Sequence, residues 1–246
     1  TNQDLTKEVI EDVSKFSKYV DQQLGNADAR YGIGGYAEHR SVYSRSNVFD
    51  SPDGGEPRRL HLGTDIWGKA GTPVSAPIGG MVHSFKFNDA YGDYGATIIL
   101  LHQLESVAFY TLYGHVSLKD LAITEGQYIN RGEPFAHFGE PHENGHWPPH
   151  LHFQIIIDIE LKEGDYPGVC RLSDKNYYLE NCPDADLLLK MNKKNLQDRT
   201  KKLKGMITVI LPHQNHLQTM LVIARFEMNN LLQPMIQVMN PIMKKK

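Results

Sequence analysis

The stretch His150-Leu151-His152-Phe153-Gln154-Ile155-Ile156-Ile157 reads as a β-strand, and the rest of the chain is interpreted from it. Side chains alternate faces along a strand, so His150 and His152 point the same way while Leu151 and Phe153 turn to the core. Two imidazoles on one face lie about 6.5 Å apart along the strand. A strand histidine by itself is ordinarily solvated or hydrogen-bonded to a neighbour. The pair acquires a chemical meaning only if partners come from elsewhere in the chain.

Two upstream stretches supply them. His61-Leu62-Gly63-Thr64-Asp65 sets an imidazole and a carboxylate four residues apart, both good ligands for a divalent ion such as zinc. Gly63 argues against a helix, so the pair belongs to a strand end and the turn after it. Phe109-Tyr110-Thr111-Leu112-Tyr113-Gly114-His115 is β-branched and aromatic, a strand ending on a third partner. Three strand ends therefore bring four histidines and one aspartate to one candidate site. His83, His102 and His137, in or beside other predicted strands, are read as structural.

The surroundings are those of a mostly antiparallel β domain. Between Leu60 and Ile159 short β-rich runs alternate with turn residues and no long helical period intervenes. Residues 71–77 are extended by their prolines, the runs at 81–85 and 96–101 follow glycine turns, and the run at 125–129 precedes another glycine at Gly132. Upstream, Leu5, Val9, Val13, Phe16, Val20 and Leu24 recur at helical spacing, with Gly25 where a C-terminal cap would stand. Tyr31-Gly-Ile-Gly-Gly-Tyr36 matches no phosphate-loop context and is read as a flexible turn.

Downstream, Lys190 to Lys204 is a basic linker or solvated helix. Leu217, Met220, Leu221, Ala224, Met228, Leu231, Leu232 and Met235 then predict an accessory helix, which Arg225 and Glu227 keep from spanning a bilayer. The boundaries expected are an N-terminal helix over 1–26, a main domain over 27–191, and a linker with helical extension over 192–246.

One metal motif is rejected. His142-Glu143-Asn144-Gly145-His146 satisfies the letters HExxH, but that motif acts on a helix. Gly139, Pro141, Asn144, Gly145, Pro148 and Pro149 crowd this stretch, and glycine and proline together cost several kcal/mol in a helix interior, from about 1 and 3 kcal/mol each. A loop at the rim of the site is expected instead.

Composition limits the partners. With 26 basic against 29 acidic residues and a net charge of −3, nothing favours nucleic acid. Cys170 and Cys182 stand in no zinc spacing; a short disulfide loop and two free thiols both fit. Residues 1–24 carry no apolar core of a secretory signal, although the chain does not begin with Met. A periplasmic or secreted location is expected if a signal was removed, and a cytoplasmic one otherwise.

Taken in order, His61-Leu-Gly-Thr-Asp65, Gly71-Thr-Pro-Val-Ser-Ala76, Tyr113-Gly-His115 and His150-Leu-His152-Phe153 resemble the lysostaphin-type, LytM-like zinc metallopeptidases, many of which cut peptide cross-links in bacterial peptidoglycan. The resemblance covers about residues 58 to 157. It implies an antiparallel β-sheet groove of the duplicated-hybrid-motif type, one zinc ion held by His61, Asp65 and His152, and His115 and His150 as catalytic histidines. Three protein ligands leave a fourth position for water, as in catalytic zinc sites. The flanks Tyr31-Gly-Ile-Gly-Gly-Tyr36, Phe109-Tyr-Thr-Leu-Tyr113, Trp147-Pro-Pro-His150 and Gly164-Asp-Tyr-Pro-Gly168 resemble a narrower group, also found fused to class III aminotransferases. Pro149 departs from the broader family, which usually has glycine there, so bond specificity is not carried over.

The function implied is zinc-dependent endopeptidase action on peptide amides, in the first place peptidoglycan cross-links, by attack of zinc-bound water assisted by two histidines. The alternatives are an intracellular metal-dependent amidase or peptidase on a small substrate, and a non-catalytic peptidoglycan-binding or regulatory module.

Overall fold

The computed structural model describes residues 5–191. The extension expected over 192–246 lies outside them. The described residues fall into two compact units, 5–102 with 109–185, and 103–108 with 186–191. Every residue bearing on the site belongs to the first. The described residues of the second are 103–108 and 186–191, including the short helix Asp186–Leu189.

The strands, in chain order, are β1 (Gly32–Gly34), β2 (Leu60–His61), β3 (Thr64–Trp67), β4 (Pro73–Ser75), β5 (Gly80–Asn88), β6 (Gly95–Leu104), β7 (Val107–Val116), β8 (Tyr128–Ile129), β9 (Pro134–His137), β10 (His150–Ile156) and β11 (Val169–Cys170). Seven of them form one sheet in the order β1-β3-β10-β7-β6-β5-β8; β2 pairs with β11 and β4 with β9. The pairings with a defined register are all antiparallel. This is the mostly β architecture expected, and each strand stretch singled out in the sequence lies in it.

Strand β10 is central and buried along its whole length. Its core face explains why: Leu151, Phe153 and Ile155 are at most 5% exposed. The histidine face is no less covered, since His150 and His152 are each 3% exposed, so the imidazoles floor a cavity.

The N-terminal helix differs from the single one expected. Helices α1 (Lys7–Glu11) and α2 (Val13–Asn26) are separated by Asp12, whose extended backbone ends the first while its carboxylate accepts from the Ser14 and Lys15 amides to start the second. Gly25 is not a cap; α2 continues through it to Asn26. Phe16 is the buried residue of α2, clustered with Tyr43, Phe49, Trp147 and Val169.

Tyr31–Tyr36 is a second correction. Gly32–Gly34 is the edge strand β1, pairing Gly34 with Asp65, because only glycines let a backbone approach so closely. A Cβ on Gly34 would stand 2.9 Å from Arg40 Nη2 and 3.3 Å from Asp65 Cβ. The helix α3 (Lys175–Asn181) had no counterpart in the sequence reading.

Both cysteines are free thiols. Burial pushes Cys170 up to about 11 and raises Cys182 further, so neither ionises near neutral pH. His83, His102 and His137 are satisfied by Ser84, by Gly79 and Thr111, and by Asp120 respectively.

Candidate metal centre

Register places the first two candidates. Asp65 on β3 is the direct cross-strand partner of His152 on β10, so their side chains share a face. His61, ending β2, completes a triangle: its Nε2 lies 3.0 Å from His152 Nδ1 and 3.1 Å from Asp65 Oδ1, and His152 Nδ1 lies 3.1 Å from the same oxygen. The intervening turn requires Gly63, since a Cβ there would meet the His152 ring at 2.6 Å.

The outer hydrogen bonds decide the tautomers. His61 Nδ1 lies 3.1 Å from the Gly35 carbonyl, an acceptor only, so Nδ1 carries the proton and Nε2 a lone pair. Gln154 donates its amide nitrogen to Pro167 O at 3.1 Å, which turns its oxygen to His152 Nε2 at 2.8 Å. His152 must donate there, leaving a lone pair on Nδ1. Two lone pairs and a carboxylate oxygen thus converge with no proton between them, an arrangement that repels itself unless a cation occupies the centre. Tetrahedral ligands about 2.0–2.1 Å from zinc stand roughly 3.3 Å apart, close to the triangle observed. Among the described residues this is the group of His, Asp, Glu or Cys that could hold a metal.

Sequence reading missed Arg40. Its guanidinium bonds the other Asp65 oxygen, donates to Gly35 O at 3.0 Å and pairs with Glu38 at 3.1 Å. Burial opposes the Asp65 charge, but the facing charge, that of the Arg40 guanidinium above all once His61 is neutral, outweighs it and holds the carboxyl well below its usual range. A partner 25 residues away across a loop carries no periodic signal, and Gly35, far from His61 in the chain, escaped for the same reason; Gln154 stands two residues from His152 on one face of the strand, where the alternation placed it without giving it a role.

His115 and His150 form a second group. Gly114 is the cross-strand partner of His152, so regular alternation would turn residue 115 to the opposite face. His115 instead has φ of 63°, which breaks the alternation and brings its ring to 4.1 Å from His150 and 6.3 Å from His152. The left-handed conformation costs an L-residue about 1–2 kcal/mol, held here by bonds from His115 N to Tyr94 O and from Gly139 N to His115 O. Gly114 must lack a side chain because its Cβ would lie 2.5 Å from the Tyr94 ring.

Each ring donates from Nδ1 to a carbonyl, His115 to Asn144 O and His150 to Pro148 O, both at 2.8 Å. Each Nε2 is therefore an unprotonated acceptor. Desolvation pushes His115 well below its usual value and His150 down to about 4, and the neighbouring His150 adds to the lowering of His115. Trp67 stacks on the far face of His150 at 4.1 Å.

The HExxH letters lie in successive turns, as expected of that composition. Glu143 accepts from the Glu140 and Leu118 amides, and buried Asn144 ties the loop to Gly139 and Trp147. The loop's contribution is the carbonyl that holds His115.

Residues 59–163 match the model of Peptidase family M23. An L-Ala--D-Glu endopeptidase of Bacillus subtilis (strain 168) is 27% identical over 124 residues, 48% of this chain and 36% of that protein, so the match spans about a third of the relative's length. Similar solved structures include the catalytic domain of the antimicrobial peptidase lysostaphin from Staphylococcus simulans, 21% identical, with 64% of this chain and 96% of that one covered at a TM-score of 0.38. The catalytic domain of a prophage-encoded M23 protein of Enterococcus faecalis is 17% identical, with 56% and 92% covered at the same TM-score of 0.38.

Proposed function

We propose that the chain, whose residues 59–163 match Peptidase family M23, is a zinc-dependent endopeptidase that hydrolyses peptide amides of the peptidoglycan type. His61 Nε2, Asp65 Oδ1 and His152 Nδ1 hold one zinc ion, and His115 and His150 carry the proton traffic. The observation that supports this reading most is the triangle of three unprotonated donors at 3.0–3.1 Å, with the far nitrogen of each imidazole tied to a fixed acceptor. Nothing in an apolar core or a simple binding surface calls for lone pairs to face one another in this way.

Zinc, when bound, supplies Lewis acidity, polarising a carbonyl and lowering the pKa of water towards about 7. The protein's own groups do the rest. Arg40 holds Asp65 ionised and turned so that Oδ1 faces His61 and His152. A neutral Nε2 of the His115–His150 pair accepts the proton of the attacking water as its oxygen bonds to the amide carbon. The imidazolium so formed stabilises the developing oxyanion and returns the proton to the leaving nitrogen as the C–N bond breaks. The rings 4.1 Å apart disfavour double protonation, so one proton moves through the pair at a time.

The test is hydrolysis of labelled peptidoglycan peptides by the zinc-loaded chain, with and without a chelator. Chelator-sensitive cleavage restored by zinc is expected. Full cleavage with the metal stripped would overturn the reading.

A further inference from the structure

The metal-dependent amide hydrolysis proposed above leaves the substrate's size open, and the segment before the family match bears on it. That match begins at residue 59, whereas residues 38–43, with Val48 and Phe49, line the cavity that also holds His115, His150 and His152. This segment crosses from one bank of the cavity to the other. On the near bank Arg40 N donates to Arg59 O and Arg58 N to Phe49 O, both at 2.8 Å. On the far bank Ser46 bonds Tyr91 O, Arg45 donates to the Tyr91 hydroxyl at 2.6 Å, and the Arg45 guanidinium stacks 4.6 Å from the Trp147 ring.

Tyr43 sits midway. Its ring centroid is 6.4 Å from that of His61 on one side and 6.2 Å from that of Trp147 on the other. Under this crossing His61, Asp65, His115, His150 and His152 are each between 1% and 6% exposed. What remains open is a cavity of about 530 Å³, within the 300–1,000 Å³ of sites that enclose a small ligand. A cross-link in an intact polymer reaches a catalytic centre as a strand whose two ends both continue outside, so it needs a trough open at both ends.

We propose that the substrate is a short, free-ended peptide that enters the cavity beneath residues 38–49, not a bridge threaded between two polymer ends. The inference rests on the amide-hydrolase reading for its chemistry but on the crossing segment for its size limit, and the two can fail separately. Tyr43 is here a specificity-determining residue: it limits what can pass on either side of the reacting bond.

The experiment uses the zinc-loaded chain and a randomised hexapeptide pool, either free or carrying a polyethylene glycol chain at both ends, with new termini counted by mass spectrometry. The free pool is expected to be cut at least ten times faster than the doubly capped one. Tyr43→Leu, which keeps apolar bulk in the cluster, should narrow that ratio to within threefold; Tyr43→Ala, if it folds by circular dichroism, should narrow it further. Equal cutting of both pools by the unaltered chain would overturn the proposal.

If neither pool is cut, the hydrolase reading has failed, and binding decides the size limit. Diethylphosphinate should then bind the zinc-loaded chain at least tenfold more tightly than a phosphinate bearing polyethylene glycol on both sides. Equal affinities would overturn the size limit.

Discussion

His61 and His152 on one side, and His115 and His150 on the other, are four buried imidazoles on the same β scaffold, yet they are held in different arrangements. All four have one ring nitrogen tied to a protein acceptor. In the first pair the free nitrogens point at each other and at Asp65, 3.0 Å apart, and one of them is Nδ1. In the second pair the rings lie 4.1 Å apart with a tilt of 32°, both free nitrogens are Nε2, and neither makes a hydrogen bond among the described residues. Residue type and burial are shared, so the difference comes from the outer partner and from strand register. Convergent lone pairs suit a cation, and separate ones suit a moving proton.

The largest effect expected of a substitution is total. His61→Ala should abolish hydrolysis of labelled peptides, while His115→Ala and His150→Ala each lower kcat by about 10²–10⁴, the usual contribution of general acid–base catalysis. On the proposed reading the second pair works as a unit, so the double variant should be little worse than either single one in the same assay. Multiplying losses would mean two independent roles.

Arg40→Met acts on the first group alone. It leaves Asp65 Oδ2 buried without its cation, which should destabilise the metal-free protein by about 3–5 kcal/mol in urea unfolding. Zinc should recover part of that loss, since the ion then stabilises the same carboxylate. A smaller effect is expected one layer out. Gln154→Met removes the acceptor that fixes the His152 tautomer and should weaken zinc affinity about 10–100-fold, read by competition with a chelator.

His102 is the control for both groups, an equally buried imidazole with no metal or catalytic task. Its two nitrogens bond Gly79 O at 2.9 Å and Thr111 Oγ1 at 2.6 Å, and burial lowers it to about 4. The unfolded chain, with histidine near 6.5, then binds more protons between those values, so His102 favours folding less as pH falls from 6.5 towards 4. Between pH 6.5 and 5 this amounts to about 1.5 kcal/mol. His102→Gln should flatten that part of the pH–stability curve and leave hydrolysis at pH 7 unchanged.

These contrasts mark how far the sequence could be read. The strands carrying His61, Asp65, His115, His150 and His152 were legible because β-rich runs and glycine turns are local signals, and the order of the motifs carried the family resemblance. The conformation of His115 was not legible: a positive φ at a non-glycine residue is imposed by Tyr94 and Gly139, one of them 24 residues away. The glycines at 32–35 read as a turn because no local pattern announces that their backbone will lie against Asp65 and accept from His61. The break at Asp12 was visible in principle, since an aspartate before Val13-Ser14-Lys15 is a capping residue, but the apolar spacing ran through it.

The most direct measurement of the central claim is zinc per chain in five purified single-alanine variants. The account predicts close to one zinc per chain in the unaltered protein and in His115→Ala and His150→Ala, and essentially none in His61→Ala, Asp65→Ala and His152→Ala. Zinc retained in full by His152→Ala, or lost from His115→Ala, would contradict the division of the site into a metal-holding group and a proton-carrying pair.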